Sequence, residues 1–121
     1  MSYKVYKDSI GEIKVESDKL WGATTQRSFE NFKIGDYKMP TEVIRAMATV
    51  KYACAMANYE LGDINKEKFT AIENAVQEIF SGNLDEHFPL VVYQTGSGTQ
   101  TNMNLNEVIA NYANQKVGKT L

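Results

Sequence analysis

The stretch Gln94–Val108, QTGSGTQTNMNLNEV, decides how the rest of the chain is read. Gly96 and Gly98 flank Ser97, Thr99, Gln100 and Thr101 follow, and asparagines recur at positions 102, 104 and 106. Glycine lets a backbone approach closely and adopt dihedrals closed to other residues. The first amides of a helix lack intrahelical partners and attract an anion. A polar turn that runs straight into a helix therefore makes a donor-rich wall. Ser97 and Thr99 are its candidate ligand-holding hydroxyls, with Gly96, Gly98, Gln100, Asn102 and Asn104 in support. On the residues alone, a turn capped by hydroxyls for structural reasons competes with that account.

Beyond the turn, the spacing predicts a helix over 102–117, with Leu105, Val108, Ile109, Tyr112 and Ala113 on its apolar side and Gly118 as its stop. Asparagine is a poor helix interior residue because its amide competes for backbone hydrogen bonds. Asn102, Asn104, Asn106 and Asn111 must therefore face water or join a satisfied network. Glu107 falls in the first turns, where a negative charge is favourable and a carboxylate can orient nearby amides.

Upstream, the run LVVY at 90–93 is too short to assign by period. His87 is the sole histidine, and imidazole titrates near neutrality. It has acidic neighbours but no positioned nucleophile, so a surface or helix-end position is expected. Two helices are predicted over 40–61 and 66–80, joined by a short link and hence antiparallel neighbours. The first offers Val43, Met47, Val50, Cys54, Ala57 and Leu61 as one apolar face, with Cys54 as a small buried filler. Its many alanines make it apolar on several sides, so it calls for cover on more than one. The second, capped by Asn65, carries Phe69, Ile72, Val76, Ile79 and Phe80 as a stripe.

Residues 18–39 show no sustained period and read as an irregular segment anchored by Trp21, Phe29 and Phe32, with Arg27 in a structural ion pair. In residues 1–17, YKVYK and EIKVE alternate around the turn formers Asp8–Gly11, which predicts a hairpin or paired extended arm. The class is mainly α.

Composition narrows the function. The formal charge of −2 comes without any basic cluster, which argues against nucleic acid as a partner. No run nears the roughly 18 apolar residues of a membrane span. One cysteine cannot form an internal disulfide, and a reducing compartment is expected. The phosphate-loop and dinucleotide glycine patterns are missing, Ser97 lacks a nucleophile-elbow setting, and no His/Cys/Asp/Glu spacing suggests a metal.

Three segments carry a family resemblance: DSIGEIKV at 8–15, LWGATTQRSFENFKIG at 20–35 and FPLVVYQTGSGTQTNMNLNEVIAN at 88–111. With the helices between them they resemble the amino-terminal region of the class II fumarases. The related aspartate ammonia-lyases share much of this frame but typically carry alanine where this chain has Ser97. Tyr112 stands where many relatives have arginine, and Tyr93 where tryptophan is common.

The resemblance implies an N-terminal helical domain of the fumarase/aspartase fold, with the central helical-bundle and C-terminal domains absent. It further implies a homotetramer whose sites gather segments from three subunits and interconvert fumarate and L-malate without cofactor or metal. With no transit peptide apparent and Asp8 and Glu12 coming early, a cytoplasmic location is expected, a mitochondrial one staying open for a eukaryotic source. Ser97 and Thr99 match the family's carboxylate-binding positions. The catalytic histidine, the loop serine base and the lysine and asparagine ligands fall in regions this chain lacks. It thus supplies no catalytic residue, and the fragment alone is expected to be inactive. The alternatives are the corresponding domain of an aspartate ammonia-lyase and a purely structural helical interaction module.

Overall fold

A computed structural model describes all residues, 1–121. It begins with an antiparallel hairpin, β1 (Tyr3–Lys7) and β2 (Glu12–Glu16), in the register Tyr3↔Glu16 and Tyr6↔Ile13. The expected hairpin is thus present. Its turn is fixed by Asp8, whose Oδ1 accepts from the amides of Ile10 and Gly11 at 2.9 and 3.1 Å. Alternation puts Ile13 and Val15 on the inner face, where both are buried.

The segment 18–39 contains more order than its sequence suggests. A helix, α1, spans Ala23–Asn31. Its sequence ATTQRSFEN is a weak helix former, and its own N-cap, Gly22, offers no side-chain oxygen. The missing acceptor comes from far along the chain. The Glu107 carboxylate accepts from the amides of Gly22, Thr24 and Thr25 at 2.7, 2.9 and 3.2 Å. A Cβ at residue 22 would stand 3.1 Å from Glu107 Cδ, which is why glycine suits that position. The irregular reading is corrected for these nine residues: a tertiary cap, invisible to local pattern, makes the helix.

Arg27 ties α1 to the hairpin. Its Nε and Nη2 donate to Asp8 at 2.8 and 2.9 Å, and Nη2 also reaches the Gly11 carbonyl at 3.0 Å. The hydrogen bond from Arg27, helped by the turn amides, holds the Asp8 carboxyl down at about 2. Arg27 is therefore in the structural ion pair expected of it.

Helices α2 (Thr41–Glu60) and α3 (Lys66–Ser81) form an antiparallel pair. Tyr59 stacks on Phe69 at 4.9 Å, and one turn or more back Tyr52 Oη donates to Glu73 at 2.9 Å. Asn65 caps α3 by accepting from the Lys68 amide at 2.9 Å, and Gly82, in the left-handed region at φ 84°, ends it.

The apolar face expected of the first long helix is corrected. The core takes Ile44, Ala48 and Ala55, while Val43, Val50, Cys54, Ala57 and Leu61 face outward and Met47 is half-buried. Val50 is 60% and Leu61 76% exposed. A helix apolar all round gives no single stripe, and the packing of α3 and the last helix decides which side is covered. Cys54, expected as a buried filler, is an exposed free thiol.

A one-turn 3-10 helix at Asp85–His87 leads into buried Phe88, Pro89 and Leu90. The following residues run extended against 37–39, with Met39 N donating to Leu90 O at 3.0 Å and Val92 N to Tyr37 O at 2.8 Å.

The last helix, α4 (Thr99–Val117), starts three residues before the predicted position, directly on the glycine turn. It is the centre of the domain and packs against α1, α2 and α3. Leu105, Val108, Ile109 and Ala113 lie in the core with Val15, Leu20, Ile44, Ala75, Val76, Ile79 and Phe88.

Candidate active site

The polar side chains of α4 do two kinds of work, separated along its length. Below its first turn, Asn104 is fully buried and its Nδ2 donates to the His87 carbonyl at 3.0 Å. Glu107 caps α1 as described, and Asn111 Nδ2 donates to the Leu20 carbonyl at 2.7 Å. These groups hold the chain stretches 20–25 and 87–88 to α4. Asn104 and Asn111 each find a backbone partner that sequence alone does not reveal, while Asn106 Nδ2 donates to Met103 Sδ one turn back at 3.6 Å.

His87 is part of this scaffold. It ends the 3-10 turn, as the helix-end alternative expected, and the surface alternative is corrected, because its side chain is buried. Its Nδ1 accepts from the Leu20 amide at 3.2 Å, a bond open only to unprotonated Nδ1. Burial pushes its pKa below the ordinary 6.5, against a weaker upward pull from Glu86. Between the two values the unfolded chain binds more protons than the folded one. The stability contributed by neutral His87 is therefore complete above about 6.5 and is lost as pH falls toward the lower folded value. The thermal midpoint is expected to fall between about pH 7 and about pH 5.5, and to fall less in His87→Gln. Equal slopes in the two proteins would show that His87 is not the titrating group.

At its amino-terminal end α4 presents a different surface. Gly98 is the N-cap with φ 77°, a left-handed conformation that glycine adopts freely, and no side chain caps the helix from that position. Three hydroxyls line up at this helix end. Ser97 Oγ lies 3.2 Å from Thr95 Oγ1 and 3.1 Å from Thr99 Oγ1, and the Thr99 amide points to Ser97 Oγ at 3.4 Å. Gln100 reaches back, its Oε1 accepting from Thr95 Oγ1 at 2.7 Å and from the Thr95 amide at 3.2 Å. One residue before the turn, Gln94 accepts from Thr101 Oγ1 at 3.2 Å and donates to the Val91 carbonyl at 2.8 Å.

Of the residues singled out in the sequence, Gly96, Ser97, Gly98, Thr99 and Gln100 thus sit together at one helix end. Asn102 lies one turn in, where its Oδ1 accepts from Lys51 of α2. Asn104 points away into the core. Thr95 belongs to the hydroxyl row and was not singled out. The signal was present in the i to i+5 spacing of Thr95 and Gln100, but no local rule assigns that contact.

Ser97 and Thr99 are exposed. The row is one wall, open on its far side, made of neutral donors at the positive end of a 19-residue helix. Such a surface favours an anion with several oxygens over a cation, because hydroxyls and amides donate toward it and the helix dipole adds to the attraction. No group of three or more His, Cys, Asp or Glu side chains stands where it could hold a metal ion. No helix is long and apolar enough to cross a membrane.

A family model described as lyase matches residues 11–120, and the chain belongs to that family, as an amino-terminal domain of the class II fumarase/aspartase superfamily. Among curated proteins, fumarate hydratase class II of Thermus aquaticus is 56% identical over 123 aligned positions, covering all of this chain and 26% of that protein. The protein of the same name from Bacillus cereus is 56% identical over 115, covering 95% of this chain and 25% of its own length. Among solved structures, a class II fumarase from Schistosoma mansoni superposes with a TM-score of 0.93 at 39% identity, over 99% of this chain and 26% of that one. The chain therefore spans about a quarter of the length of the relatives it matches.

Proposed function

We propose that this chain is the part of a class II fumarate hydratase that binds one substrate carboxylate, in an enzyme that interconverts fumarate and L-malate. The observation that carries the reading is the row of Ser97 and Thr99 hydroxyls at the amino-terminal end of α4, whose N-cap, Gly98, supplies no side-chain acceptor. The names of the relatives supply the reaction. Ser97 weighs against the aspartate ammonia-lyase alternative, whose members typically have alanine there.

In the direction from malate, a base takes the C3 proton and the electron pair moves into the adjacent carboxylate, which gains a second negative charge as an aci form. The C2–O bond then breaks, and hydroxide leaves as water with a proton from an acid. Donors that face the carboxylate bind it more strongly as that charge builds, which lowers the barrier instead of merely tightening substrate. Ser97 and Thr99 are the groups we assign to this role, with Gly96 and Gly98 permitting the approach and Gln100, Asn102 and Asn104 holding the surroundings. The base, the acid and the remaining carboxylate contacts come from polypeptide outside this chain, in a homotetramer whose sites are shared between subunits. No cofactor enters the scheme, and a single free thiol suits a cytoplasmic location.

The chain alone, mixed with malate or fumarate and followed by the ultraviolet absorbance of the double bond, is expected to show no turnover above background. Turnover that vanishes on changing His87 would overturn this. The carboxylate assignment itself is tested by Thr99→Val in a chimera in which this chain replaces the matching quarter of the Bacillus cereus relative. Weakened substrate use with assembly intact supports it, and unchanged turnover overturns it.

A further inference from the structure

We infer that Thr95 and Gln100 are positioning residues, a clasp that sets the direction of the hydroxyl row and holds the glycine turn so that Ser97 and Thr99 keep their protons for an anion. The inference rests on the carboxylate-binding reading of Ser97 and Thr99.

The argument starts from the number of protons. Each hydroxyl has one proton to donate, and the Gln100 oxygen has none. Thr95 Oγ1 stands 2.7 Å from that oxygen, so its proton is committed there. It can then meet Ser97, 3.2 Å away, only as an acceptor. With Thr95 fixed in this sense, the Ser97 proton has two places to go within the row, toward Thr95 or toward Thr99 at 3.1 Å. Neither is a charged group. A carboxylate oxygen arriving in front of the row is a stronger acceptor than either hydroxyl, so both remaining protons turn toward it. A Thr95 hydroxyl released from Gln100 would be free to turn outward, and the order of donors along the row would no longer be unique.

The same clasp supplies rigidity where the backbone has little. An added Cβ would meet nothing within 4 Å at Gly96 or Gly98, so both stand beside open space. Both flank an exposed serine. The two hydrogen bonds from Thr95, one from its amide and one from its hydroxyl, converge on a single side-chain oxygen of α4 and close the loop across Gly96–Thr99. Donors held in place before substrate arrives need no reordering as charge develops. Gln100 touches no ligand in this scheme. It acts through Thr95 and the turn.

The test is a double-mutant cycle in the chimera with the Bacillus cereus relative, using Thr95→Val, Gln100→Met and the pair. Each single change is expected to lower kcat/KM for fumarate about tenfold, mostly through kcat. The double variant should be no worse than Gln100→Met alone, because that change already removes the hydroxyl bond lost in Thr95→Val, together with the bond from the Thr95 amide. Thr95→Ser, which keeps both donors, should restore activity. In the 121-residue chain itself, NMR order parameters for the Gly96–Gly98 amides should fall in Gln100→Met while those of the α4 interior stay unchanged. Additive losses in the double variant, or singles at full kcat/KM, would overturn the inference. An unchanged turn in the NMR experiment would overturn it too, whether or not the chimera assembles. If Thr99→Val is also without effect, the carboxylate reading fails with it. If Thr99→Val is damaging and the clasp variants are not, only the clasp is wrong.

Discussion

Replacing Thr99 by valine in an assembled chimera is expected to lower kcat/KM for fumarate by about ten- to over a hundredfold. Valine keeps the shape of threonine and removes only the hydroxyl. Thr99 is exposed at the first position of α4, so the fold loses no buried group. The hydroxyl lies 3.1 Å from Ser97 Oγ, and its own amide is served by Ser97 at 3.4 Å, which the substitution leaves in place. A hydrogen bond to a charged group contributes about 1.5–3 kcal/mol, and that range converts to the stated loss in rate. Because the bond strengthens as the aci-carboxylate forms, kcat should fall along with kcat/KM. Steady-state kinetics together with light scattering to confirm assembly would check it. A rise in KM alone would mean that Thr99 binds substrate and transition state equally.

Glu107→Ala is expected to destabilise the chain by about 3 kcal/mol, a large part of the roughly 5–15 kcal/mol that holds a domain of this size together. One carboxylate accepts three backbone donors at 2.7–3.2 Å, and alanine leaves all three without that partner. Three bonds that share one carboxylate do not add fully, so the estimate sits near the value of the strongest single one. The thermal midpoint should drop by roughly 10 °C. Hydrogen exchange should locate the loss in α1, with the amides of Thr24 and Thr25 opening first. Glu107→Gln retains one acceptor oxygen without charge and should fall between the two. A midpoint within a degree of wild type would show that water replaces the carboxylate at no cost.

What the residues revealed and what they hid divides along a physical line. The α2–α3 pair, the caps at Asn65 and Gly82 and the hairpin turn at Asp8 rest on contacts between near neighbours, and local rules find those. The glycine turn at the head of a helix was legible for the same reason. Helix α1 was not, because its cap lies 85 residues away in Gly22 to Glu107. The covered side of α2 was hidden because the helix is apolar all round, so burial is settled by where α3 and α4 arrive. The burial of His87 follows from Leu20, 67 residues distant, donating to its ring. The candidate hydroxyls could be picked out by type and spacing. Their ordering by Thr95 and Gln100 needed coordinates.

The cap on α1 also has a bearing on synthesis. A ribosome releases residues 23–31 well before Glu107 has been joined to the chain, and the segment has no acceptor of its own at that end. In the nascent polypeptide it is an uncapped string of threonines and polar residues with little reason to coil. Its helical state is conferred late, by a residue translated near the end of the domain, so the amino-terminal quarter of the domain acquires its final shape only when the carboxy-terminal helix is in hand.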